Sequence, residues 1–361
     1  MRSLDVPLYG LDPEEKAAVL LPEIVELTEF HRRNCQPYSA FMAGEPGPFE
    51  SLEDVPFLPV SVFKHLDLVS VPDTEVAQVV QSSSTTGKAP SRVFVDAATT
   101  GLQKQAATRI LSDRIGEEPR PYIVFDHRKS ASGRSMTARG AAAMAAMHLA
   151  SKFFFVMKEG PGGLELDLDA FHFALEHARA SGSFIAYGAT PILHEVHRKL
   201  ASGSRKIDGP WDPGRTFLLH SGGWKKLQAL AVGKAEFDRD ICTPWSLPPG
   251  SIVEFYGMAE LVGVLFVECE LGAKHVPAFS EVIVRDPETL LPLAPGEVGL
   301  LQFLSALGRG GPTHSILTED LGTLERLDGC PCGRRGRTFR MIGRAPRAES
   351  RGCGDLKEAG T

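Results

Sequence analysis

Residues 82–91 read SSSTTGKAPS: a run of five small hydroxyl residues is followed by a glycine, a lysine and, one residue later, a proline. Hydroxyl groups donate hydrogen bonds to phosphate oxygens, glycine lets the backbone approach a phosphate closely, and Lys88 adds positive charge. The spacing of a Walker loop, Gly-x-x-x-x-Gly-Lys-Ser/Thr, is absent. Taken alone, the segment predicts either a phosphate-binding loop or a solvated Ser/Thr-rich linker.

Cysteine and histidine residues form a second set with chemical potential. Cys269 precedes His275 by six residues, and a single residue separates Cys330 from Cys332. Three thiolates and one imidazole are a ligand set that zinc prefers in tetrahedral sites. The spacing departs from that of a standard zinc finger, so a plain strand position for His275 stays open. The set predicts a structural zinc site that joins two hairpin-like segments.

The composition is that of an ordinary globular protein with a moderate negative charge. Hydrophobic residues make up 43%, charged residues 23%, and the formal net charge is −6. This charge argues against a nucleic-acid-binding protein, and the arginines of 334–351 lack interleaved aromatic residues apart from Phe339. AAVLLPEIVEL, an apolar stretch near the start, is too short and interrupted to span a membrane, and no signal-peptide pattern precedes it. We therefore expect a cytoplasmic protein whose six cysteines are reduced.

Strand and helix patterns alternate between residues 76 and 263. VAQVV and RVFVD flank the hydroxyl-rich loop, and later strand patterns are YIVFD, FFFVM, FIAYG, TFLLH and IVEFYG. Helical patterns are predicted at 99–112, 136–150, 168–180 and 191–200. Such alternation indicates a mostly parallel sheet flanked by helices, in which ligands bind at the carboxyl ends of the strands.

The two ends of the chain have other patterns. Residues 11–35 have helical spacing, with Asp12 as the capping residue and Pro13 at the first helical position. After residue 264, strand patterns alternate with turn signals and helical patterns stop. We therefore expect four regions: an N-terminal helical and loop region (1–75), an α/β core (76–263), a β-rich subdomain with the predicted zinc site (264–342) and a hinge-like tail (343–361).

Five segments, in this order, resemble the motifs of the adenylate-forming superfamily, which includes acyl-CoA synthetases and peptide-synthetase adenylation domains. The loop at 82–91 is followed by HSGGWKK at 220–226, FYGMAEL at 255–261, LTEDLG at 317–322 and IGRAPRAESRG at 342–352. Any one segment has many chance matches. The order and separation of the whole set are the specific signal.

The resemblance implies a role for each matching residue. The phosphate loop would use Ser82, Ser83, Thr85, Thr86, Gly87 and Lys88, with Thr85, Thr86 and Lys88 as catalytic residues. The loop that lines adenine would be Gly222, Gly223 and Trp224, and the segment packed against the nucleotide would be Tyr256, Gly257 and Met258. Glu260 matches the acid associated with Mg²⁺, Asp320 the aspartate that holds the ribose hydroxyls, and Arg344 the arginine before the hinge. ATP and Mg²⁺ are the implied cofactors.

Two positions of the phosphate loop depart from the superfamily pattern. Ser84 replaces the usual glycine, and Ser91 replaces the usual lysine. Both departures favour an alternative, a non-catalytic nucleotide- or ligand-binding member of the fold. Single residues have structural alternatives as well: Glu260 as a surface acid, Asp320 as a turn cap and Trp224 as a core residue.

VPFLPVSVFKHLDLVS, HSGGWKK, ILTEDLG and the ending GRAPRAESRGCG are similar to the acyl-protein synthetase family. This family includes the ligase of bacterial luminescence operons that activates a fatty acid. It implies an α/β fold: an adenylate-forming large domain with mixed, mostly parallel sheets, flanking helices and a small β-rich subdomain. Because the chain ends at Thr361, we expect the C-terminal lysine-bearing domain of the superfamily to be absent.

The implied function is ATP-dependent activation of a fatty or aromatic carboxylic acid as acyl-AMP, with release of pyrophosphate. The acyl group then passes to a thiol. Cys353 matches the cysteine that accepts the acyl group in luminescence members, from which the group passes to a reductase partner. The alternative for Cys353 is a thiol without function in a frayed tail. Direct transfer to CoA, a carrier protein or another external acceptor also stays open. An acyl reductase, a carrier protein or an acyltransferase is the expected partner.

Overall fold

The computed structural model describes residues 2–44, 47, 49–82, 90–131, 135–161, 163–202, 207–261 and 263–345. The α-helices are α1 Pro13–Asn34, α2 Gln36–Phe41, α3 Ala97–Ile115, α4 Ala138–Met144, α5 Leu168–Ser181, α6 Thr190–Ser202 and α7 Lys234–Cys242. The first ten strands are β1 Leu58–Pro59, β2 Val76–Gln81, β3 Arg92–Asp96, β4 Arg120–Phe125, β5 Ser135–Thr137, β6 Ala150–Phe155, β7 Met157–Gly160, β8 Gly163–Leu166, β9 Ile185–Ala189 and β10 Phe217–Ser221. The others are β11 Ile252–Tyr256, β12 Phe266–Val267, β13 Lys274–His275, β14 Ser280–Arg285, β15 Gly299–Ser305, β16 Ser315–Arg326 and β17 Thr338–Arg344.

The central layer is a six-stranded sheet, here called the parallel sheet, with the order β12-β11-β10-β9-β4-β6. Its strands run parallel except for β12, which pairs with β11 in the antiparallel sense. Helices α5, α6 and α7 cover one face, and their apolar side chains form a core with the strands. The mixed α/β fold with parallel strands is therefore confirmed.

A second six-stranded sheet, the C-terminal sheet, has the order β13-β17-β16-β15-β14, with β1 paired to β16. Its strands are antiparallel apart from the β1–β16 pair. A core cluster containing Tyr187, Phe255, Phe303 and Phe339 joins this sheet to the other face of the parallel sheet. The division of the chain into four regions stays a prediction. Strand β12 lies beyond residue 264, yet it belongs to the parallel sheet.

The first helix begins as its sequence indicates. The Asp12 carboxylate accepts a hydrogen bond of 2.8 Å from the backbone N–H of Glu15, and the Glu15 carboxylate accepts one of 2.9 Å from that of Asp12. This capping box satisfies two backbone donors that the helix leaves free, and Pro13 occupies the first turn. Leu20 and Ile24 are fully buried, so the helix packs through its apolar face.

Two expectations about secondary structure are wrong. VAQVV and RVFVD belong not to the parallel sheet but to a separate small sheet with the order β3-β2-β5, because a connection from Ser82 to Ser91 is too short for a parallel crossover. The helix predicted at 136–150 is only α4, since Ser135–Thr137 pair with β2 as a strand. The Thr137 hydroxyl then accepts a 3.0 Å hydrogen bond from Gly140 N–H and caps α4.

None of the helices in the described ranges combines the length and the apolar character needed to cross a bilayer.

Candidate functional site

Tyr256 and Asp320 join the two large sheets at their edge. Tyr256 ends β11, and its hydroxyl donates a hydrogen bond of 2.8 Å to Oδ2 of Asp320 on β16. Burial first, and the Asp320 carboxylate second, raise the pKa of Tyr256 well above its ordinary value, so this hydroxyl stays a donor at neutral pH. The tyrosine therefore fixes one oxygen of the aspartate.

Arg344 lies on the other side of the same carboxylate. It ends β17 directly opposite Asp320 in the strand register, and its Nε lies 3.5 Å from Oδ1. Its side chain is 67% exposed and also approaches Glu319 at 3.7 Å. Asp320 thus lies between the hydroxyl of the half-buried Tyr256 and an exposed cation. It occupies a strand position, so the turn-cap alternative for Asp320 is wrong.

Glu260 is a buried carboxyl group close to this pair. It is only 4% exposed, so the surface-acid alternative is wrong. Burial raises its pKa above the ordinary value, while the neighbouring Ser91 hydroxyl and the Lys64 ammonium lower it and Asp320 raises it further. A carboxylate that must be ionised at such a position is stabilised by a bound cation. The chemistry of the site therefore fits a divalent metal ion.

The glycine loop at 222–223 follows the neighbouring strand end. Ser221 lies opposite Phe255 in the parallel register, so the loop leaves the sheet beside Tyr256. Gly222 has φ +84°, a left-handed conformation that other residues adopt only with strain. An unhindered backbone at this edge suits the close approach of a planar base.

Trp224, the next residue, is half-buried on the helix layer. Its ring packs edge-on against His194 of α6, at 5.3 Å between ring centroids, and against Phe237 of α7 at 6.5 Å. These contacts give Trp224 a packing role, in agreement with the alternative that it is a core residue. They also hold the glycine loop against α6 and α7.

Gly257 and Met258 continue from Tyr256 along the strand end. The Met258 sulfur lies 3.6 Å from the Tyr256 hydroxyl oxygen, and its side chain packs against two core clusters. A Cβ on Gly257 would meet a Leu265 methyl and the Val264 carbonyl at 3.4 and 3.5 Å. Met258 therefore packs into the core next to Tyr256, while Gly257 is exposed at the strand end.

Only the base of the predicted phosphate loop lies in the described ranges. The Ser82 N–H donates a 3.1 Å hydrogen bond to the Ser91 carbonyl, and the Ser82 hydroxyl accepts one of 2.9 Å from the Ser91 N–H. These bonds bring the two ends of the loop together beside Glu260. Ser83, Thr85, Thr86, Gly87 and Lys88 lie outside the described residues, as do Ser84 and Cys353.

The structure brings the four predicted zinc ligands together. The ligand atoms of Cys269, His275, Cys330 and Cys332 all lie within 4.8 Å of one another, and His275 Nε2 is 3.3 Å from the Cys332 sulfur. Burial lowers the pKa of His275 to about 4, so its ring is neutral and able to bind a metal. That a zinc ion occupies the cluster stays a prediction.

Several polar residues at the strand ends were missed in the sequence. Lys64 lies near Glu260, and Asp126 and Arg139 form an ion pair beside the carboxyl end of β4. Asp126 follows a strongly apolar strand, which is a signal that could have found it. The others depend on contacts between distant segments that no local pattern records.

Comparison with known proteins agrees with this arrangement. The chain is 24% identical over 339 residues to a long-chain-fatty-acid–luciferin-component ligase of Vibrio harveyi, covering 90% of the chain and 83% of that protein. A ligase of the same name from Aliivibrio fischeri is 31% identical over 140 residues, 38% of the chain and 36% of that protein.

Solved structures show the same fold. A 2-hydroxyisobutyryl-CoA ligase in complex with its acyl-AMP and CoA superposes with a TM-score of 0.68 at 17% identity, covering 93% of this chain and 76% of that one. The same ligase in its postadenylation state also gives 0.68, at 18% identity and 69% coverage of its chain. The family described as "Acyl-protein synthetase, LuxE" matches residues 7–359. The chain therefore belongs to the LuxE acyl-protein synthetase family.

Proposed function

We propose that this protein activates a carboxylic acid with ATP, forming acyl-AMP and pyrophosphate, and transfers the acyl group to a thiol. The observation that carries the proposal is the assembly of Tyr256, Asp320, Arg344 and buried Glu260 at one edge of the two sheets. Three chain segments contribute these residues, in the order that the resemblance to adenylate-forming enzymes implies. Membership of the acyl-protein synthetase family supports the same reaction.

The nucleotide would occupy the edge between the glycine loop and Asp320. Gly222, Gly223 and Trp224 lie beside the strand end of Tyr256, where they would line adenine. Asp320, fixed by Tyr256, presents a carboxylate that accepts hydrogen bonds from the ribose hydroxyls. Gly257 and Met258 follow Tyr256 directly and would contact the nucleotide, and Arg344 would provide an exposed cation for the phosphates.

The phosphate loop would contact the triphosphate. Its base at Ser82 and Ser91 lies beside Glu260. Ser83, Thr85, Thr86 and Gly87 would donate hydrogen bonds, and Lys88 would offset charge on the phosphates. Such preorganised donors stabilise charge that develops at the α-phosphate. Glu260 would hold Mg²⁺, which when bound neutralises phosphate oxygens.

The acid requires no general base, because its carboxylate is already ionised at neutral pH. It attacks the α-phosphorus, and pyrophosphate leaves with the electrons of the broken P–O bond. A thiolate then attacks the acyl carbon and AMP leaves. Cys353 is the first candidate for this thiol, and CoA, a carrier protein or a reductase cysteine are the alternatives. The relatives named above act on long-chain fatty acids, so we propose a fatty acid before an aromatic one.

The cysteine–histidine cluster would hold a structural zinc ion. His275 on β13 and the turn with Cys330 and Cys332 before β17 belong to neighbouring parts of one sheet, and Cys269 starts a tight turn with Gly272. Four protein ligands leave no open position for a substrate, so the ion would join these segments. A cytoplasmic location, where thiols stay reduced, is part of the proposal.

ATP–pyrophosphate exchange across saturated fatty acids and aromatic acids tests the first step. We expect exchange that depends on Mg²⁺ and on one class of acid. The absence of exchange with every acid, in a protein that binds ATP, would instead identify a non-catalytic nucleotide-binding member of the fold. Without ATP binding, the proposal fails entirely.

A further inference from the structure

Asp126 and Arg139 form an ion pair outside the nucleotide residues. Arg139 Nε donates a hydrogen bond of 2.6 Å to Oδ2 of Asp126. The Asp126 side chain is 1% exposed, whereas that of Arg139 is 41% exposed. The other oxygen of Asp126 accepts a 2.7 Å bond from the His127 N–H, so the carboxylate is fixed. A buried, immobile carboxylate therefore orients a guanidinium that reaches solvent.

The pair lies at the edge of the parallel sheet where a ligand of this fold binds. Asp126 follows the last residue of β4, and Ser221 ends β10 in the neighbouring row of the register. Tyr187 of β9 faces the same side and makes a 3.1 Å hydrogen bond with the Ser221 hydroxyl. Burial raises the pKa of Tyr187 above its ordinary value, and the charge of Asp126 raises it further while that of Arg139 lowers it. These four residues form a polar patch at the carboxyl ends of three strands.

Half of the Arg139 guanidinium is left available. Nη1 and Nη2 make no hydrogen bond or ion pair with any residue in the described ranges, whereas Nε is bound to Asp126. Two parallel N–H donors on one planar group match the two oxygens of a carboxylate. The same pair of donors would bind neither an apolar chain nor a cation.

Arg139 is also close to the predicted phosphate loop. It lies in the first turn of α4, and the residue before this helix, Thr137, pairs with Gln81 at the end of β2. Gln81 directly precedes the loop base at Ser82. The Arg139 guanidinium therefore lies between the loop base and the strand ends. This is the region in which an acid and the α-phosphate must meet.

We infer that Arg139, oriented by Asp126, binds the carboxylate of the acid substrate. The inference rests on the proposed function, in which that carboxylate is the nucleophile. Both reactants are anionic, so the Arg139 guanidinium bound to the acid lowers their repulsion. Its two Nη groups, held in a fixed fork-like orientation, aim one carboxylate oxygen towards the phosphorus. Asp126 is a positioning residue: it holds Arg139 and does not contact the acid.

The test compares Arg139→Ala with Arg139→Lys, Asp126→Asn and the matched control Arg198→Ala, which removes an exposed arginine from α6. In exchange assays, Arg139→Ala should raise KM for the acid about 10- to 100-fold and leave KM for ATP within about 2-fold. Arg139→Lys keeps the charge but loses the fork, so it should recover only part of the loss. Methylguanidinium added to Arg139→Ala should lower KM for the acid, and Arg198→Ala should resemble the wild type.

Asp126→Asn separates positioning from charge. The asparagine NH₂ would face the Arg139 Nε–H, donor against donor, so the guanidinium loses its fixed orientation while its charge remains. KM for the acid should rise less than in Arg139→Ala, and added methylguanidinium should have no effect. An Asp126→Asn variant with wild-type kinetics would remove the positioning role.

Calorimetric titration with decanoate and with benzoate, without ATP, separates the two proposals. Acid binding that is lost in Arg139→Ala supports the site even if the wild type shows no exchange, in which case the proposed function fails alone. Unchanged acid binding and unchanged KM in Arg139→Ala would overturn the site and leave the function standing. A rise in KM for ATP in place of the acid would assign Arg139 to the phosphates and overturn the inference.

Discussion

Tyr256 and Asp320 are 64 residues apart in the chain, yet the tyrosine hydroxyl lies 2.8 Å from the aspartate carboxylate. One residue ends a strand of the parallel sheet, and the other lies within the C-terminal sheet. Phe303 stacks on the Tyr256 ring at 5.4 Å between centroids and Phe266 lies tilted to it at 6.2 Å, so the contact is supported by the core. The carboxylate that we propose for ribose binding is therefore positioned by the packing of two sheets.

Tyr256→Phe removes this hydrogen bond and little of the packing. The Asp320 carboxylate loses this donor and becomes free to turn towards Arg344, so it should hold ribose less well. We expect KM for ATP to rise about 10-fold and KM for the acid to stay within about 2-fold in exchange assays. A matched control is Tyr122→Phe, which removes a buried hydroxyl that donates a 2.8 Å hydrogen bond to the Ala143 carbonyl. Equal KM values for ATP in Tyr256→Phe and the wild type would contradict the ribose role.

Glu260→Gln should raise stability while it removes activity. Burial raises the folded-state pKa of Glu260, so the unfolded chain loses this proton at lower pH and the ionised carboxylate destabilises the fold. The destabilisation begins as pH rises past the unfolded value of about 4.5 and is complete above the folded pKa. Thermal unfolding without ligands should therefore show a higher midpoint for the variant near pH 8, and no difference near pH 4.

The same variant should exchange pyrophosphate at least about 100-fold more slowly, because the neutral amide is a poor Mg²⁺ ligand. A variant that is destabilised near pH 8, or that keeps full Mg²⁺-dependent exchange, would contradict the buried metal-binding role of Glu260.

Purified protein should contain about one zinc ion per chain. Cys332→Ser should lose the ion and unfold at lower temperature, because three ligands bind zinc more weakly and the turn before β17 is then less constrained. Cys242→Ser is the matched control, since this buried cysteine lies outside the cluster and its sulfur donates to the Pro248 carbonyl at 3.3 Å. Zinc below about half an equivalent in the wild type, measured by atomic emission, would count against the site.

Acyl transfer to Cys353 should leave a covalent label. Protein incubated with ATP, Mg²⁺ and radiolabelled acid should retain label after denaturation and release it with neutral hydroxylamine, as thioesters do. Cys353→Ala should form acyl-AMP at the wild-type rate and retain no label. Label that persists in this variant would remove Cys353 from the mechanism and leave an external thiol as the acceptor.

Local chemistry made much of the fold predictable. Asp12, Pro13 and Glu15 specify the start of the first helix within four residues, and the apolar strands YIVFD and FIAYG become neighbouring strands of the parallel sheet. The small sheet was not predictable in the same way. Alternation of strand and helix patterns does not report which strands pair, and the short connection between β2 and β3 decided that pairing.

The candidate site was likewise predictable only in part. The order of motifs was sufficient to select Tyr256, Glu260 and Asp320, but not the burial of Glu260 or the hydrogen bond that fixes Asp320. Asp126 and Arg139 went unnoticed because their pairing depends on α4 packing near the end of β4. Contacts of this kind are properties of the tertiary structure and leave no periodic signal.

Oxygen-isotope transfer tests the central claim most directly, that the acid carboxylate attacks the α-phosphorus of ATP. The wild type would be incubated with ATP, Mg²⁺, an acceptor thiol and an acid labelled with ¹⁸O in its carboxylate, and the AMP would be analysed by mass spectrometry. We predict one ¹⁸O atom in each AMP, because thiolysis breaks the bond between the acyl carbon and that oxygen. AMP without ¹⁸O, or label in inorganic phosphate with ADP as the product, would contradict adenylation.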